Sequence, residues 1–179
     1  MLDSLETLAG TVLGIRLVIE NDITVDGNLS LINTEVFLSQ NAELNVGQLN
    51  IGPNSQVSGG GVINGDVENT GTVQVEIASL QVAGTYTQTD TGRLLLGIDD
   101  LSSEDRFGQL IISDAATLDG SLFVNATNDF VPIAGVTFSP ITFQSVSGLF
   151  VDLVEENLSD FNINIELFAD RIDLELVEA

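Results

Sequence analysis

From Leu17 to about Ile98, apolar and polar residues alternate in short pieces. Ile23, Val25, Leu29 and Leu31 mark one stretch and Leu44, Val46, Leu49 and Ile51 another, with Gly, Asn and Asp between them. A period of two sends successive side chains to opposite faces of extended backbone, so each piece predicts a half-buried strand. The pieces are only a few residues long and are interrupted too often for a sandwich, whose strands are longer. Short strands with frequent tight turns predict coils stacked on one another, with inward apolar ladders and Gly or Asn at corners that need positive φ. The run from Val57 to Val75, with Gly59, Gly60, Gly61, Gly65 and Gly71 set among Val and Ile, has this form. No exact repeat period is visible, and at ~20 residues per coil the segment holds about three to four coils.

The two ends read differently. Leu2, Leu5, Leu8, Ala9, Val12 and Leu13 follow a three-and-four spacing with Asp3 or Ser4 as N-cap, which predicts a short amphipathic helix limited by Gly10 and Gly14. The alternative is a first strand with an irregular lead-in. At the other end, Phe161, Ile163, Ile165 and Leu167 alternate with polar residues, as do Ile172, Leu174 and Leu176. Joined through 168–171, they predict a β-hairpin with one apolar and one acidic face, the latter discouraging edge pairing. The uncharged stretch from Phe130 to Val151 is interrupted by two prolines and two glycines. It reads as strands and turns, not as a membrane span. The resulting division is an N-terminal segment over 1–20, a capping helix or assembly strand; stacked coils over 21–98; and a C-terminal β cap module over 99–179.

Composition removes much chemistry. The chain of 179 residues has 27 acidic residues against four basic ones, no His, no Cys and no Trp, and a formal charge of −23. The four basic residues are Arg16, Arg93, Arg106 and Arg171, so there is no lysine either. Histidine-based triads, thiolate nucleophiles, disulfides, thiolate metal sites and Schiff bases are all excluded. Nucleic acid and anionic lipid need clustered Lys and Arg, which are absent. With 44% hydrophobic residues the chain nonetheless carries enough to bury and should fold. Its start, Met-Leu-Asp-Ser-Leu-Glu, has acidic residues where a secretory signal is basic. The expectation is a chain whose signal has been removed, or a piece of a longer one.

Three blocks carry a family resemblance. They are Ile63-Asn-Gly-Asp-Val-Glu-Asn-Thr-Gly-Thr-Val73, Leu80 to Leu94 with Gly84, Tyr86, Gln88, Gly92 and Leu94, and Phe107 to Leu122 with Gln109, Leu110, Ala115, Leu118, Gly120 and Leu122. Pro132, Gly135 and Phe138 follow, then Val146, Gly148 and Phe150. In this order, over roughly 60–179, the blocks resemble the distal passenger region of autotransporter-type bacterial surface proteins. The resemblance implies a right-handed parallel β-helix ending in a C-terminal cap, on a secreted or cell-surface protein. Gly108 departs from the family pattern, which has Asp there. The alternating segments of about ten residues and the aromatic girdles of an outer-membrane barrel are missing from the sequence.

Four carboxylates, Asp99, Asp100, Glu104 and Asp105, cluster in one polar loop with Ser102 and Ser103. They are the candidate ligands for calcium, a hard cation that takes six to eight oxygens. The spacing matches no calcium motif, and a solvated acidic loop accounts for it equally. Catalysis by paired carboxylates would need a groove with aromatic sugar platforms; Tyr86 is the sole tyrosine, and most Phe residues are expected to point inward. Thr85, Thr87, Thr89 and Thr91 alternate on one wet strand face in an array seen once.

The expected fold is all-β, a short right-handed parallel β-helix with a β-rich C-terminal cap. The expected function is a non-catalytic extracellular structural module that self-assembles or forms part of a larger surface fibre or passenger, with no resident cofactor unless calcium bridges its loops. Its partners would be further copies of itself or neighbouring domains of a longer surface protein, and it would not insert into a membrane. Leu2, Leu5, Leu8, Val12 and Leu13 at one end, and Phe161, Ile163 and Ile165 at the other, are the candidate assembly residues, because stacked coils expose apolar ends unless capped. The alternatives are an adhesin fragment that binds a glycan or host protein, and a carbohydrate-active enzyme.

Overall fold

The computed structural model of the chain describes residues 10–102, 106–127, 130–158 and 160–179. Among these the secondary structure is all-β, in two sheets. The larger has thirteen strands, nine of them in a continuous order: β1 (Gly10–Leu13), β4 (Asn28–Ile32), β6 (Glu43–Ile51), β8 (Gly61–Asn69), β10 (Ser79–Val82), β13 (Gln109–Ile112), β16 (Thr137–Thr142), β20 (Arg171–Glu178) and β19 (Phe161–Leu167). Off that path lie β3 (Ile23–Thr24), β11 (Tyr86–Gln88), β14 (Ala115–Leu118) and β17 (Ser145–Gly148). The second sheet runs β2 (Arg16–Ile19), β5 (Glu35–Leu38), β7 (Gln56–Gly59), β9 (Thr72–Val75), β12 (Arg93–Ile98), β15 (Ser121–Ala126) and β18 (Asp152–Glu156).

The chain passes between the sheets repeatedly, and each circuit adds a strand parallel to its predecessor. In the second sheet Leu17, Val36, Val57, Val73, Leu94, Leu122 and Leu153 pair in one continuous inward row. In the first, Leu29, Leu49, Val67, Tyr86, Ala116 and Val146 form another. Stacking like on like lets each side chain bury itself against both neighbours, and the result is one hydrophobic core enclosed by the two sheets. The alternation read from the sequence holds within it: Ile23, Val25, Leu29 and Leu31 are buried while Thr24, Asp26 and Asn28 are exposed.

Parallel pairing starts at β1 and β2, before residue 21, and continues through 98/99, where the sequence suggests a boundary, to β18. Of the segment expected as helix or strand, 10–13 is a strand; Leu2, Leu5 and Leu8 lie outside the described residues. No helix of the described residues is long and apolar enough to cross a membrane, and the uncharged stretch after Phe130 contains strands β16 and β17.

The predicted hairpin is present as β19 and β20, antiparallel, with Ile165 opposite Leu174 and Leu167 opposite Ile172. β20 also pairs antiparallel with β16, across an irregularity between Phe138 and Ile141. At Gly108, the position that departs from the family pattern, a Cβ would stand 2.0 Å from the Val75 carbonyl oxygen. Aspartate does not fit this backbone approach.

Candidate functional site

The acidic loop leaves β12 at its C-terminal end. Asp99 ion-pairs with Arg106 and accepts a hydrogen bond from the Thr127 hydroxyl at 3.0 Å. Asp100 accepts from the Ser102 backbone N–H at 2.9 Å and from its hydroxyl at 3.0 Å, and these bonds hold its carboxyl below the usual carboxylate range. Both carboxylates thus serve to fold the loop. Glu104 and Asp105 lie outside the described residues, and among the described ones no group of three or more Asp or Glu is placed to hold a metal ion. The loop borders a hollow of about 580 Å³ whose other wall is apolar, formed by Phe130, Val131, Ile133 and Val136.

Of the candidate assembly residues, Ile163 is buried in the core, and Phe161 and Ile165 are half-buried and packed against it. They act as a lid for the end of the stack. Glu155, on the last strand of the second sheet, accepts a hydrogen bond from the Ile163 backbone N–H at 2.5 Å and ties the hairpin down. Val12 and Leu13 belong to β1, at the opposite end of the first sheet. The end strands of the second sheet are β2 and β18.

Two features escaped the sequence reading. A polar cluster sits inside the core, where Asn69, Tyr86 and Gln88 are all buried. The Asn69 amide donates to the Tyr86 hydroxyl at 3.1 Å and to the Arg93 carbonyl at 3.0 Å; Gln88 donates to the carbonyls of Gly92, Asp119 and Ser121. Burial pushes the Tyr86 phenol up from its ordinary pKa. The only signal was Asn and Gln at positions where alternation calls for an apolar residue. The second feature is an outward Phe37, 40% exposed, on a strand whose alternation already places it there. Four of the nine Phe residues, Phe107, Phe138, Phe143 and Phe150, are buried, fewer than expected.

Thr85 and Thr91 are exposed and Thr87 and Thr89 half-buried, all on the outward side of their strand. The register stacks Thr117 and Ser147 above Thr87, and Glu68 below it, so the hydroxyl column extends over three circuits. Asp66 accepts from both the N–H and the hydroxyl of Thr85 at 2.8 Å, which lowers its pKa.

No family model matches this chain, and a search of curated proteins finds no relative.

Proposed function

We propose that this chain is a right-handed parallel β-helix with a β-rich C-terminal cap, similar to the distal passenger region of autotransporter-type surface proteins. It works as a non-catalytic structural module on the outside of a bacterial cell. The observation that carries the reading is the inward row from Leu17 to Leu153, unbroken over seven parallel strands. Such a body gains length by repetition and presents side chains at fixed spacing, which suits it to spacing and display. Its partners are neighbouring domains of a longer surface protein or further copies of itself. At the C-terminal end β20 runs antiparallel to β16, so a further parallel strand cannot join the first sheet there. Joining therefore proceeds through the other end.

The carboxylates that would take calcium are partly committed to Arg106, Thr127 and Ser102, and calcium at this loop would have to compete with them. Light scattering on a sizing column with negative-stain images, with millimolar calcium and with chelator, tests the proposal. Elongated particles, single or joined end to end, are expected. A compact, near-spherical particle would overturn the reading.

A further inference from the structure

A groove of about 670 Å³ crosses the outer face of the second sheet over three circuits. Its floor is Ser58, Gly59 and Gly60; Phe37 stands on one side, and Gln74, Glu76 and Ile77 on the other. The floor is low because glycine is required there. Gly59 has φ +107°, and a Cβ on it would meet the Leu38 carbonyl oxygen at 2.2 Å and the Phe37 ring at 3.2 Å. The groove is thus fixed by the backbone, between side chains that project from the strands before and after it.

We propose that this groove binds a neutral oligosaccharide. Its polar groups are already aligned. The Gln56 amide donates to Gln74 Oε1 at 2.8 Å, and the Gln74 amide donates to Glu76 Oε1 at 2.7 Å. Each primary amide has two N–H donors and a carbonyl with two lone pairs, so this chain uses only part of its capacity. What remains is a line of mixed donors and acceptors, which vicinal hydroxyls satisfy because each is itself donor and acceptor. Side chains fixed before binding lose little rotamer entropy when the ligand arrives. Phe37 and Ile77, 40% and 39% exposed, supply apolar surface for the C–H face of a pyranose.

The same residues reject other ligands. Glu76 is the one charged side chain lining the groove, and on a chain of charge −23 it repels uronates, sialosides and phosphates. An extended peptide would need free main-chain groups, but β5, β7 and β9 are each paired on both sides.

Calorimetric titration of the full chain tests this, with maltopentaose, cellopentaose and mannopentaose as probes, and oligogalacturonate and pentalysine as charged comparisons. At least one neutral probe should bind saturably. Phe37→Ala and Gln74→Leu should each weaken it by about tenfold or more with an unchanged melting temperature, and Val131→Ala, in the other hollow, should leave it unchanged. No saturable binding of a neutral probe, binding of the charged probes alone, or unaltered affinity in both groove variants would overturn the proposal. The particle's shape, measured on the same samples, is independent of Phe37 and Gln74, so failure here leaves the structural reading intact, and a compact particle that binds sugar would separate the two the other way.

Discussion

Asn69 and Gln88 are paired neighbours in a row whose preceding members are Leu31 and Ile51, and the Asn69 amide donates to Gln88 Oε1 at 3.2 Å. Two amides thus replace two aliphatic side chains in the core. They are accommodated because every buried side-chain polar atom among the described residues has a partner. Asn69 Oδ1 accepts from the Gly71 N–H at 3.1 Å, which fixes the corner that follows β8. Asn69→Leu restores an apolar row but strands the Gly71 N–H and the Arg93 carbonyl. The expected loss is about 2–4 kcal/mol in urea unfolding, larger than for a surface asparagine such as Asn125.

Tyr86 offers a spectroscopic handle on the same cluster, since it is the only tyrosine and no lysine or cysteine titrates beside it. The unfolded chain releases the phenol proton near pH 10.0, whereas the folded chain, with the ring fully buried, retains it to higher pH. Stability is therefore complete below pH 10.0 and falls as pH rises above it, by about 1.4 kcal/mol per unit until the folded form also ionises. Phenolate absorbance should appear together with loss of β-sheet circular dichroism. In Tyr86→Phe this alkaline limb should flatten, at a cost near neutrality of about 1–2 kcal/mol from the lost bonds to Asn69 and Gln88.

The charge of −23, with only four arginines to offset it, makes self-repulsion the largest adjustable term at constant pH. Melting temperature should rise between about 10 mM and 500 mM sodium chloride as the screening length falls. Magnesium and calcium at equal ionic strength should act alike if screening is the cause. A larger rise with calcium alone would locate a cation site, and Asp100→Asn would show whether it lies on the acidic loop.

Glu155 ties the hairpin to the last strand of the second sheet through the Ile163 N–H. Glu155→Ala should speed amide exchange at Ile163 and along β19, with β2 to β12 unaffected, and cost about 1–3 kcal/mol for the unpaired N–H. Uniform acceleration over all strands would mean that the hairpin and the stack open as one unit.

Strands and hairpin were legible in the sequence because alternation is a local signal, and the half-buried strands of the stack display it directly. The circuit length was not. Along the inward row from Leu17 to Leu153 the advance per circuit is 19, 21, 16, 21, 28 and 31 residues, because corners take insertions without disturbing the strands between them. The same irregularity hid the continuity past residue 98: the circuits lengthen there, and the sequence reads as a different module. Asp99 and Asp100 stood out as a cluster, but whether they face a ligand or their own loop depends on Arg106 and Thr127, the latter 28 residues away. The groove was invisible because Phe37, Gln56 and Gln74 come from three circuits and no local pattern links them.

The separation between parallel partners has a consequence in time. Every such partner lies 16 to 31 residues away along the chain, so a strand entering the stack needs only the circuit next to it as a template. The chain can therefore order progressively, each finished circuit serving as the surface on which the next is laid. The hairpin, with turn partners only five residues apart at Leu167 and Ile172, closes without waiting for the rest. A body of this kind can emerge through a narrow passage as an unfolded thread and take up its form in the order of its emergence, with no distant segment to wait for.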